Sequence, residues 1–389
     1  MNKGNTTNKI VKLSNSQLLL MGLAVVLFAV NLPAMSTIVS TAVLFVFTYG
    51  VIKLCQNKVL TAFVAIPIGG ILLLASPAVY EQLIYTVSLF FGILGATAIG
   101  GFMLGENKSS ILLYLAALVA AFVGIFAYTG NISSACSVLI TLPGAAALAL
   151  CNKKNLPRVS TVCAVSAAFI FSVFAPAIIA IVSEYGAESL THIGTSLEAL
   201  RKSLTEMLIT MGSTLGEPYS ELYSPKAADA MTRLTFDVLP AIAIIGGNLV
   251  AFFSQTCYYI LKNRFVRPVS PKERMIVMSK TSAWMFIISL VLVFITSFID
   301  GDKAEILSIS MTNLNMILMP SFFIIAIFAL LAWVQSKRSK PSMFTIILIV
   351  FLIFNFGSML TYPLSVFGAI TAIRLPQTPT TADTSEKNS

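Results

Sequence analysis

The side chains best placed to do chemistry in this chain are neutral amides in apolar surroundings: Asn31, Asn248, Gln255, Asn313, Asn315 and Asn355, joined by the carboxylate Asp237. An amide both donates and accepts hydrogen bonds. The set therefore suits contact with a small solute, or bridging between helices, rather than a proton or sodium relay. Asn248 and Gln255 stand seven apart and share one face of a helix, with Tyr258 and Tyr259 further along. A polar group buried in an apolar medium costs free energy unless it is paired or wetted. These seven residues are accordingly the candidate ligand-binding set, with interhelical hydrogen bonding as the competing reading.

Other chemistries lack their residues. Glu106-Asn107 precede Lys108 where a phosphate-binding loop would need glycine directly before lysine, and no HExxH, GxSxG or strand-associated GxGxxG occurs. The single histidine, His192, has no second ligand near it in the sequence. Cys55, Cys136, Cys151, Cys163 and Cys257 show no CxxC spacing, so neither a zinc site nor a disulfide framework is expected. The chain reads as a protein with no catalytic residues, no metal and no cofactor.

What must position the amides follows from composition. Of 389 residues 57% are apolar and only 11% charged, against about a quarter charged in an ordinary soluble domain. Too few charges remain to cover a soluble fold of this length, which excludes a soluble enzyme, a nucleic-acid binder or a disordered scaffold. The partner implied is the lipid bilayer, and the net charge of +9 does not point to nucleic acid because the charges sit in connectors.

Apolar runs that suit a hydrocarbon core of about 30 Å occur at Gln17–Asn31, Met35–Ile52, Leu60–Leu74, Leu83–Leu104, Ile111–Tyr128, Cys136–Leu150, Val159–Val182, Phe236–Leu261, Thr281–Phe298, Ile309–Val334 and Met343–Leu360. They are continuously apolar rather than alternating, so helices and not barrel strands are predicted. With the amino terminus inside, the alternate connectors hold Lys and Arg in a ratio of 18 to 5, with Arg374 and Lys387 left in the tail. Basic residues are retained in the cytoplasm, and this places the chain in a cell membrane with a cytoplasmic amino terminus. Lys3, Lys9 and Lys12 precede the first run as in a signal peptide, but no A-x-A-like site follows, so that run is read as a retained span.

The expected fold is an all-α transmembrane bundle of 11 or 12 spans divided at residues 1–182, 183–235, 236–373 and 374–389. The first part is an amino-terminal bundle and the third a carboxy-terminal one. The last is a disordered polar tail. Between the bundles, Ser183–Thr235 is an outer helical segment in which Leu197, Leu200, Leu204, Met207, Leu208 and Met211 recur at helical spacing. Thr195 with Glu198 suits a capping box, and Glu198 with Lys202 an ion pair one turn apart. Asn31-Leu32-Pro33 is expected to turn the chain between the first two spans, and Thr361–Ile373 to fold back as a hairpin on the helix before it, with a position in the outer interface as the alternative. Gly92, Ala96 and Gly100, with Gly101, Gly105 and Gly144, are read as surfaces for close helix packing. Pro67, Pro143, Pro176, Pro240 and Pro320 mark kinks or breaks.

The second half carries further features in order. An outer helical loop precedes a span opening on Leu239-Pro240-Ala241, followed by the basic loop Lys262 to Lys280, then Trp284, Asn313 or Asn315, and the turn Lys337-Arg338-Ser339-Lys340. In this arrangement the chain resembles the YybS-like family of uncharacterised bacterial membrane proteins (domain of unknown function 2232). It departs from that pattern in having no Pro after Trp284 and no charge-rich ending. The family's amino-terminal spans are similar in layout to the substrate-capture components of energy-coupling-factor transporters. That resemblance implies a bundle that binds a small solute and works with a separate membrane or ATPase partner. A membrane factor of envelope biogenesis or complex assembly is the alternative.

Overall fold

The computed structural model of the chain describes residues 13–34, 36–54, 68–69, 77–215, 223–266, 278–299, 301–337 and 343–374. The longer elements are helices in chain order: α1 (Asn15–Ala34), α2 (Thr37–Leu54), α3 (Pro77–Gly105), α4 (Lys108–Thr129), α5 (Ile132–Ser137), α6 (Thr141–Lys153), α7 (Arg158–Tyr185), α8 (Ser189–Leu215), α9 (Pro225–Phe265), α10 (Lys280–Thr296), α11 (Asp302–Lys337) and α12 (Met343–Arg374). Among the described residues there is no strand. The fold is an all-α polytopic helix bundle. Eight of the described helical stretches are long and apolar enough to cross a membrane, and α10 is a shorter apolar helix. Leu60–Leu74 lies outside the described residues except for 68–69, as does the tail beyond Arg374.

Local chemistry sets the ends of these helices. Asn107 caps α4 by accepting from the Ser110 N–H at 2.9 Å, and Ser279 caps α10 by accepting from the Ser282 N–H at 3.0 Å. Gly130, at φ 65°, closes α4 in the left-handed conformation, which glycine adopts without a Cβ penalty. The side chain of Asn131 then starts α5.

Four expectations are corrected at this level. Asn31-Leu32-Pro33 lies inside α1, and the chain turns only after Ala34. A proline in a last helical turn forfeits one bond and need not end the helix at once. Likewise α12 passes through Pro363 without a hairpin. Thr195 is interior to α8, where its hydroxyl donates to the His192 carbonyl at 2.9 Å, so it caps nothing. Glu198 pairs with Arg201 at 2.9 Å rather than with Lys202.

The chain forms two compact units: Met1–Ser189 with Gly246–Ile276, and Leu190–Ile245 with Val277–Ser389. Helix α9 thus contributes its first half to one unit and its second half to the other. In the first unit α3 is the central packing element, and its small residues receive large neighbours. A Cβ at Gly95 would meet the Phe28 ring, one at Gly100 the Tyr114 ring at 2.7 Å, and one at Gly101 the Leu148 side chain at 2.8 Å. Gly144 of α6 lies against Thr97 of α3. The small residues bring helices close, where dispersion and interhelical hydrogen bonds replace the hydrophobic drive that lipid cannot supply. The opposite faces are apolar and uncovered: Leu20 is 65% exposed and Leu112 69%.

The second unit is built around Ala283, Phe286, Phe322, Ala369 and Ala372, from α10, α11 and α12. The Phe286 and Phe322 rings pack with centroids 5.2 Å apart. Gly368 of α12 lies directly against the Phe322 carbonyl of α11, and the Ser365 hydroxyl donates to the Met319 carbonyl at 3.2 Å.

Candidate functional site: polar groups inside the helices

The seven sequence candidates do not converge on one place. Asn31, Asn248 and Gln255 belong to the first unit; Asp237, Asn313, Asn315 and Asn355 belong to the second. Asn355 falls in α12, with its side chain outside the described residues.

In the first unit Asn31 joins three helices. Its Oδ1 accepts from the Ser40 hydroxyl of α2 at 3.0 Å, and its Nδ2 donates to the Ser88 hydroxyl of α3 at 3.3 Å. Ser88 in turn donates to the Tyr85 carbonyl at 3.1 Å. All three side chains are buried, so each bond satisfies a group that water cannot reach. Gly92, one turn from Ser88, leaves room for the amide: a Cβ there would lie 3.4 Å from Asn31 Nδ2. Replacing Asn31 with Leu strips Ser40 and Ser88 of this partner. The expected loss is roughly 1–3 kcal/mol, read as a lower melting temperature of the detergent-purified chain, with Asn31→Gln intermediate.

Gln255 is fully buried in α9. Its Nε2 donates to the Tyr259 hydroxyl at 3.0 Å, while its Oε1 has no hydrogen-bond partner. Asn248 is only half-buried, and among the described residues no hydrogen bond joins it to Gln255.

In the second unit the site is a proline-containing helix turn bridged by a side chain. Pro240 stands within α9, and a proline in a helix interior has no N–H to donate and pushes the preceding turn away. At Pro240 it is the Phe236 carbonyl that loses its helical donor, and the groups one residue further on are engaged from a neighbouring helix. Asn313 of α11 takes both groups: its Oδ1 accepts from the Ala241 N–H at 3.0 Å, and its Nδ2 donates to the Asp237 carbonyl at 2.7 Å. The same Nδ2 also donates to the Ile309 carbonyl of its own helix at 2.9 Å. The amide spans the helical turn beside the proline, because an amide side chain carries the same donor and acceptor as a peptide. Asp237 enters through its main chain, and its carboxylate is half-buried.

Asn315, two residues on, is buried and donates to the Ser289 hydroxyl of α10 at 2.9 Å. The Ser289 hydroxyl in turn donates to the Phe286 carbonyl at 2.8 Å. Asn315 Oδ1 is buried and has no hydrogen-bond partner.

Sequence reasoning passed over Ser40 and Ser88, which serine's abundance hides, and treated Arg158 only as a topological charge. The Arg158 guanidinium donates to the Thr256 hydroxyl at 2.9 Å and lies 4.5 Å from the Phe252 ring centroid and 5.8 Å from that of Tyr259. Phe252, Thr256 and Tyr259 follow the i, i+4, i+7 spacing of one helix face, a signal the sequence does contain. Glu106, in the turn between α3 and α4, has its carboxyl raised above the ordinary value by burial, with Lys262 acting in the opposite direction. More than a third of its surface is exposed, so the shift has little weight for stability. Among the described residues no group of His, Cys, Asp and Glu is placed to hold a metal ion.

No curated protein and no solved structure matches the chain. Residues 102–370, more than half of its length, match the family model described as a predicted membrane protein of domain of unknown function 2232. That stretch contains both the Pro240 turn with its Asn313 bridge and the Arg158 cluster, and the chain belongs to this family of predicted membrane proteins.

Proposed function

We propose that the protein binds a small solute within its membrane bundle as part of transport, has no catalysis of its own, and draws energy through a separate ATPase partner. The observation that carries this reading is the bridged turn at Pro240. Interrupted helices are where transport folds present backbone donors and acceptors to a solute, and at this proline-weakened turn the Ala241 N–H and the Asp237 carbonyl are engaged by the side chain of another helix, Asn313. A solute offering the same amide-like pairing competes for those groups. The expected setting is a cell membrane with the amino terminus in the cytoplasm, as the basic connectors favour.

A deletion strain is expected to lose uptake of one class of labelled micronutrient. Uptake should return with the native chain but not with Asn313→Leu at equal membrane abundance. Unchanged uptake across a broad panel would reject the proposal.

A second reading, a non-transporting factor in envelope biogenesis or complex assembly, draws on α8. Leu197, Leu200 and Met207 of that helix are exposed and share one stripe. Affinity purification separates the two: an ATPase module recovered with the chain favours the first, and envelope machinery lost on Leu200→Glu favours the second.

A further inference from the structure

One end of the first unit gathers cations. Leu13, Leu54, Leu104 and Val266 pack against the same core, which brings together the start of α1 and the ends of α2, α3 and α9. The connectors at this end carry Lys53, Lys108, Lys153, Lys154, Arg158, Lys262 and Arg264. Against these seven, Glu106 is the one acid among the described residues there. Charge retention during insertion accounts for the sign of the cluster but not for how its members are held.

Two of the cations are organised by aromatic rings. Tyr258 and Tyr259 are buried neighbours with centroids 6.0 Å apart. The Lys262 ammonium lies 5.9 Å from the Tyr258 centroid. The Arg158 guanidinium lies 5.8 Å from that of Tyr259 and is pinned by Thr256 and Phe252. Cations attracted to ring faces are held in place by them. Exposed apolar side chains adjoin the charged turn in the chain: Leu150 is 59% exposed and Leu156 42%, on either side of Lys153 and Lys154. Cations bordered by uncovered apolar surface fit an anion that carries its own apolar tail.

We propose that Arg158 and Lys262, flanking the Tyr258–Tyr259 pair, form a headgroup site for an anionic phospholipid in the leaflet bordering this end of the first unit. The guanidinium fork and the ammonium take the phosphodiester oxygens. The surrounding lysines draw the anionic lipid toward the site, and Leu150 and Leu156 meet its acyl chains.

The test is titration of the detergent-purified full chain with phosphatidylglycerol, phosphatidylcholine or inorganic phosphate, read by native mass spectrometry and by melting temperature. Phosphatidylglycerol is expected to be retained and to raise the melting temperature, whereas the zwitterionic lipid and inorganic phosphate do neither. Arg158→Gln with Lys262→Gln should weaken retention by about thirtyfold, the loss of two near-surface charges. Lys226→Gln with Lys303→Gln, in the second unit, should leave it unchanged. Should the double variant fail to fold, Arg158→Lys and Lys262→Gln are compared singly, and each is expected to weaken retention several-fold. Full retention in these variants, equal retention of phosphatidylcholine, or the same rise with inorganic phosphate would overturn the proposal.

Discussion

Gly368→Leu is expected to abolish the folded state of the second unit. A side chain at this position grows directly into the Phe322 carbonyl, with the Ala326 N–H 3.1 Å from the new Cβ. The obstacle is backbone on a neighbouring helix, so no rotamer change relieves it. Overpacking against movable side chains costs about 1–3 kcal/mol, and this clash should exceed that range because α11 and α12 must separate, disturbing the Phe286–Phe322 stack. The measurement is the yield of monodisperse protein after detergent extraction, together with its melting temperature. Gly124→Ala is the matched control. Nothing lies within 4 Å of a Cβ there, and alanine in a helix interior is favoured over glycine by about 1 kcal/mol, so this variant should be neutral or slightly more stable. Equal yields for Gly368→Leu and Gly124→Ala would show that the α11–α12 approach is not as close as described.

The second large effect is conditional, which makes it diagnostic. Asn313→Leu leaves the Ala241 N–H and the Asp237 carbonyl without their partner at membrane depth. At roughly 1–3 kcal/mol for each unsatisfied group, a loss of about 2–6 kcal/mol is expected. With Pro240→Ala already present, residue 240 regains an N–H for the Phe236 carbonyl and the turn tightens, so that the Ala241 N–H and the Asp237 carbonyl can pair within the helix, and the same substitution should then cost less than about 1 kcal/mol. A double-mutant cycle on melting free energies reads the difference as a coupling of about 1–5 kcal/mol, at or above the usual range for directly contacting residues. If Asn313→Leu is as damaging without the proline as with it, the amide does not act by bridging the turn. The cycle bears on the solute proposal as well. A chain carrying Pro240→Ala keeps a satisfied backbone but offers no weakened turn, so it should fold well and still fail to restore uptake.

Much of this architecture is legible along the chain, for a physical reason that particular helices illustrate. In α1, α4 and α7 every backbone polar group must be satisfied within the segment, because lipid offers no partner. A continuous apolar run therefore announces a helix without reference to anything distant. The packing role of Gly100 and Gly101 was readable in the same way, since a small-residue stripe on an apolar helix has few other uses. Local signals were weaker where proline was concerned. Pro33 and Pro363 read as turns because proline lacks a donor, yet both lie inside helices. In α8, Thr195 and Glu198 had a capping pattern, but the helix begins several residues earlier and a start signal carries no force in its interior.

The candidate polar residues mark the other limit. That an asparagine in a span must find a partner follows from the sequence alone, and so do the membrane, the helical class and the sign of the charged connectors. Which partner it finds does not follow. Asn31 and Asn313 are the same residue in the same kind of surroundings, but one ties Ser40 to Ser88 and the other bridges a turn of α9. Desolvation acts on each residue separately and so is written in its identity, whereas hydrogen bonds act only at contact. Contacts between residues 72 positions apart, as between Ala241 and Asn313, come into being only when the helices pack.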